Sequence, residues 1–232
     1  MPKARAASET PSKNVRKAPT SQREARRLAQ QSVGRTQLLD AAEHVFGRKG
    51  FHETTLKEVA DLAEFSVGSV YSFFENKDDL FRQIFIRRGE QFMPGIHGIL
   101  GEAAGDPIEQ LHRLIDFEVG FFRAHPHFGR IYLRYSNATS LSPEREIDVV
   151  MSERYEEAMQ LQATLFERGQ RARKFRRGDP VVMARLFSGL IAAYQALDPA
   201  VVEDDPNAGE RLPLSDLHDL VESAFVARSA NA

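Results

Sequence analysis

From Leu38 onward the apolar positions of this chain recur with the period of a helix, and no stretch alternates with the two-residue period of a strand. Leu38, Leu39, Ala42, Val45 and Phe46 form one stripe. It predicts a helix that starts near Arg23 or Ser32, ends near Arg48 and is closed by Gly50 in a left-handed cap. Two shorter stripes follow. Leu56, Val59, Ala60 and Ala63 fall at i, i+3, i+4 and i+7, behind Thr55 and Glu58 at capping-box spacing. Val67, Val70, Tyr71 and Phe74 repeat the pattern behind Ser66, a good N-cap. Gly68, Ser69 and Ser72 occupy the opposite face. Phe51 is expected to join Phe46, Val59 and Val70 in a small core that Tyr71 or Phe74 completes. Two short helices at a tight corner, the second with a small polar outer face, describe a helix-turn-helix whose second helix enters a DNA major groove.

The remainder also reads as helices. Asn76 caps one with Asp78 and Asp79 in its first turn, where acidic groups suit the helix dipole. Leu80, Phe81, Ile84 and Phe85 give its apolar side, and Met93-Pro94-Gly95 predicts its end. Asp106-Pro107 opens the next, and His125-Pro126 stops it. A shorter one carries Phe128, Ile131, Tyr132 and Tyr135. Ser142-Pro143 opens the longest, to about Lys174. Asp179-Pro180 opens a helix to about Leu197 that is apolar nearly all round, the pattern of an element covered on both sides. An acidic loop from Asp198 to Pro213 leads to a last helix with Leu217, Leu220, Val221, Ala224 and Phe225. The fold class is all-α: a three-helix helix-turn-helix domain over residues 23–76, then a larger helical domain over 77–232. Residues 1–22 are rich in Lys, Arg, Ser, Pro and Ala and are expected to be a disordered basic arm. Such an arm either follows DNA phosphates or the minor groove, or only keeps the chain soluble.

Composition narrows the chemistry. Among 232 residues there is no cysteine, which excludes disulfides, thiolate metal sites and a cysteine nucleophile and fits a cytoplasmic location. No uninterrupted apolar run reaches membrane-span length, and no signal-peptide core stands near the start, so no membrane partner is expected. The net charge of -2 hides an asymmetry: residues 1–90 hold 16 Lys or Arg against 12 Asp or Glu, and the remainder is acidic. The positive end coincides with the helix-turn-helix, which suits phosphate binding.

The run from Arg35 to Phe81 resembles the amino-terminal domain of TetR-family transcriptional repressors. The likeness lies in Leu38-Leu39-Asp40-Ala41-Ala42, Phe46, Gly50-Phe51, Thr54-Thr55, Val59-Ala60, Ser66 to Tyr71, Phe73-Phe74, Asn76-Lys77 and Leu80. Gly169, Phe175-Arg176, Asp179-Pro180, Ala184 and Gly189-Leu190 extend it toward the end of the chain. One departure stands in the turn, where Glu64 and Phe65 replace the usual Gly and Val; Glu at positive φ costs about 1 kcal/mol.

The resemblance implies a DNA-binding regulator, with Tyr71 and Lys77 on phosphates and Thr55 and Lys57 on the neighbouring backbone. Ser66, Val67, Gly68, Ser69, Ser72 and Phe73 are the exposed recognition-helix candidates; Ser69 can bond a base edge and Val67 can touch a thymine methyl. It also implies a homodimer through the last two helices on an inverted-repeat operator, and release by a small effector. Phe117, Phe121, Phe122, Tyr132, Tyr135, Met151, Tyr155, Met159 and Phe187 are candidate lining residues, which points to an apolar or aromatic effector. An architectural or division-type DNA-binding protein of the same fold, without effector, is the alternative. A metal enzyme is the weaker one: His125 and His127 flank Pro126 and His112 precedes Asp116 by four residues, but no motif supplies a third ligand. No cofactor, catalytic or metal residue is expected. The basic cluster Arg171, Arg173, Lys174, Arg176 and Arg177 is assigned to the carboxyl end of the long helix.

Overall fold

The computed structural model describes residues 21–101, 105–135, 146–203 and 212–227, without the side chains of 146–153. Among these, ten helices follow one another: α1 Gln22–Lys49, α2 Leu56–Leu62, α3 Val67–Phe73, α4 Lys77–Leu100, α5 Pro107–Ala124, α6 Pro126–Tyr135, α7 Glu146–Arg171, α8 Pro180–Leu197, α9 Pro199–Val202 and α10 Leu214–Phe225. The described residues hold no strand, only an isolated bridge between Phe175 and Val226. The chain divides into two compact units, residues 1–36 and 37–232.

In the first unit the described residues begin α1. Ser21 Oγ accepts from the Glu24 N–H at 3.2 Å, and Arg23, Arg26 and Arg27 are exposed. Most of the basic arm expected over residues 1–22 lies outside the described residues.

In the second unit the caps sit where the side chains place them. Asn76, Asp106 and Asp179 each accept from N–H groups of the first turn of α4, α5 and α8. Gly50 closes α1 at φ 84°. The corner between α2 and α3 is a Schellman turn: the Phe65 N–H reaches Ala60 O at 2.9 Å and the Glu64 N–H reaches Asp61 O at 3.3 Å. Glu64 takes the left-handed position at φ 59°, so the turn keeps its geometry despite the missing glycine.

Two hydrophobic clusters fill this unit. The first joins Leu38, Leu39, Ala42 and Phe46 of α1 to Phe51, Val59, Val70 and Phe74, and continues into Leu80, Phe81 and Ile84 of α4 and Phe128 and Ile131 of α6. Phe81 lies edge-on to Phe46 at 5.0 Å and to Phe51 at 5.1 Å. Phe74 completes this core, whereas Tyr71 is 57% exposed. The second cluster joins the far half of α4 to α5, α7, α8 and α10, with Phe166 near Phe175, Phe187 and Phe225.

Three expectations change. α4 does not end at Met93-Pro94-Gly95 but runs on to Leu100. Pro94 and Glu90 are both exposed, so the carbonyl that Pro94 leaves without a donor faces water, while Met93, Ile96, Ile99 and Leu100 are buried. The acidic loop after α8 begins with a short helix, α9, because Asp198 caps it and Pro199 suits its first position. Val201 of α9 then packs into the first cluster. The basic cluster divides: Arg171 stays in the last turn of α7, whereas Arg176 donates to Ser223 O and Val226 O at the carboxyl end of α10 and Lys174 pairs with Asp106, the cap of α5. The opening of α7 at Ser142-Pro143 lies outside the described residues.

Among the buried polar residues, Glu118 and Gln162 form a pair between α5 and α7. Glu118 of α5 is 6% exposed and Gln162 of α7 is 2% exposed. Gln162 Nε2 donates to Glu118 Oε1 at 2.9 Å, and Gln162 Oε1 has no hydrogen-bond partner. Burial pushes the Glu118 carboxyl up to about 8.

Two outcomes follow from these features. Replacing Glu64 by Gly relieves the left-handed strain and raises stability by about 1 kcal/mol in urea unfolding; an unchanged or lower midpoint speaks against strain there. Because the folded chain holds the Glu118 proton more tightly than the unfolded chain, this group's stabilisation is complete below its ordinary value of 4.5 and is lost as pH rises toward about 8. The stability of Glu118→Gln relative to the parent therefore climbs across that window, by up to about 1.4 kcal/mol per pH unit. A gap that does not change with pH refutes the assignment.

Candidate nucleic-acid interface

α3 is seven residues long, too short to persist alone, and three kinds of contact hold it. Val70 and Phe74 are buried beneath it. Ser66 Oγ caps it by accepting from the Ser69 N–H at 3.0 Å. Phe73, half-buried, lies edge-on to Phe65 from the turn at 6.5 Å. The outward face is then Ser66, Val67, Gly68, Tyr71 and Ser72, all exposed, with Ser69 at its edge. A Cβ on Gly68 would meet only Ser66 Oγ, at 3.8 Å, so packing inside the chain does not demand glycine there. Some hydroxyls are already engaged: Ser66 and Ser69 lie 2.8 Å apart, and Ser72 Oγ donates to Ser69 O at 2.6 Å.

α2 stands behind this face on a full capping box. The Glu58 N–H donates to Thr55 Oγ1 at 3.3 Å and the Thr55 N–H to Glu58 Oε2 at 2.9 Å. Lys49 at the end of α1 also pairs with Glu58. That ammonium, then the Thr55 bonds, bring the Glu58 carboxyl down to about 2. Thr55 and Lys57 are exposed beside one another at the start of α2.

Lys77 has an internal task. Its ammonium donates to Phe51 O and Thr54 O, each at 3.0 Å, and lies 4.4 Å from the Phe51 ring. Lys77 thereby ties the start of α4 to the loop before α2. Next to it, hydrogen bonds from Arg82, the Glu75 N–H and Gln83 outweigh burial and hold Asp79 below its ordinary value.

Charged and aromatic groups bind α1 to α4 and α6. Glu43 of α1 is 4% exposed and accepts from Arg87 at 2.8 Å and from Arg88 at 2.8 Å; Arg87 also reaches Asp40 at 2.6 Å. From α6, Arg134 donates to Phe46 O and Arg48 O, and Tyr135 Oη accepts from the Phe51 N–H at 2.9 Å. His44 Nδ1 lies 2.9 Å from His127 Nε2, while Arg130 donates to His127 Nδ1. With Nδ1 accepting, the His127 proton sits on Nε2 and is given to His44. His125 is lowered by burial and then by Arg88.

The effector candidates separate accordingly. Tyr135 belongs to the α1–α6 junction and Tyr132 packs on Phe122 and Phe128 of the first cluster. Phe92 of α4 bridges the clusters, 5.3 Å from Phe117 and 5.0 Å from Phe121. Tyr155, Met159 and Phe187 lie in the second cluster, and the Met151 side chain lies outside the described residues. The histidines weighed as metal ligands stand apart: His112 lies 2.7 Å from Glu222, His127 meets His44 and Arg130, and His125 lies beside Arg88, while Asp116 meets His218. Among the described residues no group of three or more His, Asp or Glu side chains is placed to hold a metal ion.

Glu43, Arg87, Arg88, Glu118 and Gln162 were not singled out by sequence reasoning. The available signal was a charged residue on a buried stripe, Glu43 between Leu39 and Phe46 and Glu118 between Ile115 and Phe122. The expected dimer face is partly bare: Val182, Leu186 and Leu197 of α8 and Leu220 of α10 are exposed. By length and composition α8 is also apolar enough to cross a membrane, although Arg185 and Gln195 interrupt it.

Residues 38–84 match the family described as bacterial regulatory proteins, tetR family. The helix-turn-helix-type transcriptional regulator YfiR of Bacillus subtilis is 46% identical over 48 residues, 21% of this chain and 23% of that protein. The chain spans about a quarter to a third of the length of the curated relatives it matches. A TetR-like transcriptional regulator from Rhodococcus sp. RHA1 is 26% identical in sequence, covers 83% of this chain and 93% of its own, and superposes with a TM-score of 0.65. A Saccharomonospora viridis structure, described as a transcriptional regulator in complex with choline, gives 0.69 at 20% identity over 85% of this chain and 100% of its own. With the capped turn and the exposed seven-residue helix, these likenesses identify residues 38–84 as a DNA-binding domain of the tetR type, and the solved structures share the all-helical fold of the rest.

Proposed function

We propose that the protein is a DNA-binding transcriptional regulator that represses as a homodimer on an inverted-repeat operator and lets go when its helical domain takes a small molecule. The observation that carries the DNA-binding part is the outward face of α3: uncharged, small-residued and unneeded for internal packing, with Tyr71 standing clear at its side. Ser69 and Val67 read base edges, and Tyr71, Thr55 and Lys57 hold phosphates. Lys77 keeps one ammonium hydrogen beyond its two carbonyl bonds, and with it completes that set.

Repression needs two recognition helices. The bare leucines of α8 and α10 match what a second copy covers, and an isologous pairing presents α3 twice. The fold neighbour in complex with choline supports a small ligand. Phe117 and Phe121 beside Phe92 furnish an apolar and aromatic body for it. Its leverage passes through α4 and α6, which grip α1 by Arg87, Arg88, Arg134 and Tyr135. The effector acts by preferring one arrangement of these helices, and a nearly complete switch takes roughly a 10⁴-fold preference.

The decisive experiment is to sequence genomic fragments retained by the purified protein at fixed salt. An inverted repeat should emerge, with affinity falling steeply as salt rises; indiscriminate retention rejects a specific operator. On that operator Lys57→Ala lowers the salt slope by about 1 and weakens all sequences alike. Leu186→Arg yields monomers in sedimentation and weakens operator binding by roughly 100-fold, the loss of bivalent attachment. A dimeric Leu186→Arg protein of full affinity removes α8 from the interface.

A further inference from the structure

We propose that the contact between α1 and α6 is a proton switch, closed while the rings of His44 and His127 are neutral and opened by mild acid, which loosens the hold on operator DNA. The effect on DNA rests on the protein's binding an operator; the proton at the contact does not. Two observations make the contact tight. The His44 and His127 rings meet edge-on at 4.3 Å, with Nδ1 of the first 2.9 Å from Nε2 of the second. One turn along α1, a Cβ on Gly47 would lie 2.7 Å from His127 O and 3.0 Å from its Cα, so the two backbones touch there. His127 is therefore held to α1 by its main chain and by its ring.

The proton count follows from the donors. Arg130 donates to His127 Nδ1, and a guanidinium has no acceptor to offer. The His127 proton then stands on Nε2 and goes to His44 Nδ1, which carries none. A proton added to His44 Nδ1 sets two N–H groups face to face. If His127 yields by moving its own proton to Nδ1, that N–H faces Arg130 instead. Either way one added proton costs the contact one hydrogen bond. His125, at the cap between α5 and α6, acts in the same direction: Arg88 Nη1 lies 3.4 Å from its Nε2, and burial, then Arg88, hold it below its ordinary value.

The charged groups on the surrounding elements have other partners or face water. Asp40 and Glu43 of α1 hold Arg87 and Arg88 of α4, and Lys49 pairs with Glu58. Arg134 of α6 donates to Phe46 O and Arg48 O, and Tyr135 accepts from the Phe51 N–H. α5, α8 and α9 pack on α6; Arg123 of α5 joins Asp198 and Tyr194, while Arg185 of α8 and Glu203 at the end of α9 are exposed. Histidine ordinarily takes its second proton at about pH 6.5. The closed contact binds fewer protons than the open one, so it is favoured above that pH and gives way below it.

Fluorescence anisotropy of a labelled operator fragment from the genomic selection tests this on the full-length protein, at constant ionic strength from about pH 8 to about pH 5.5. Parent and His44→Asn are compared, because Asn places an oxygen where Nδ1 stands and takes no proton there. His44→Asn should match the parent at the upper pH and keep its affinity on acidification, while the parent weakens by about tenfold more. His127→Gln, whose amide can donate or accept, should flatten the profile too, and it carries the comparison if His44→Asn fails to fold. Ring-nitrogen NMR shifts of the DNA-free parent should show His44 unprotonated at Nδ1 at neutral pH; the opposite tautomer overturns the proposal. So do parallel affinity curves for parent and variants. Melting curves without DNA should show the parent losing stability relative to His44→Asn as pH falls below about 6.5; equal losses overturn it. A difference in melting with none in operator affinity removes the switch. If no fragment is retained at any pH, the operator reading fails, and melting and the tautomer decide the contact by themselves.

Discussion

Everything at the helix-turn-helix end depends on burying Val70 and Phe74. A helix of seven residues gains little from its own hydrogen bonds and cannot persist without packing. Two buried side chains, worth about 1.5–3 kcal/mol each, fix α3 against the core, and the Ser66 cap fixes where it starts. Because both anchors lie on one face, the other is free to be smooth. Gly68, Ser69 and Ser72 are tolerable there only because the opposite side does the holding.

That core is not made by three helices alone. Leu80, Phe81 and Ile84 of α4 and Phe128 and Ile131 of α6 close it. Around its rim run Lys77 to the Phe51 and Thr54 carbonyls, Tyr135 to the Phe51 N–H, and Glu43 to two arginines. The Glu43 cluster is a buried charge with enough donors to offset its desolvation, so it resists sliding of α4 along α1 more than it adds net stability. A displacement of α4 or α6 is thereby felt by α1.

Much of this was legible in the chain. The caps at Thr55, Ser66, Asn76, Asp106 and Asp179 were readable because capping is local, one side chain and an N–H two or three residues on. The left-handed Glu64 was readable through the resemblance, since it stands where the family usually has glycine. What escaped was set by distant partners. Pro94 looked like a stop, yet its helix continues because buried neighbours outweigh one lost hydrogen bond that water replaces. Lys77 looked like a surface cation, and only the fold brings two carbonyls beneath it. Glu118 and Gln162 are 44 positions apart, and no periodicity announces that they meet.

The shared core also bears on how such chains can be recombined. α1 to α3 look like a detachable cassette along the sequence, yet α4 and α6 supply part of the floor beneath α3. Grafted alone onto a foreign body, the three helices would arrive with their exposed face intact and their foundation missing. A transplant that keeps α3 in place has to carry the α4 and α6 residues of that floor along with it.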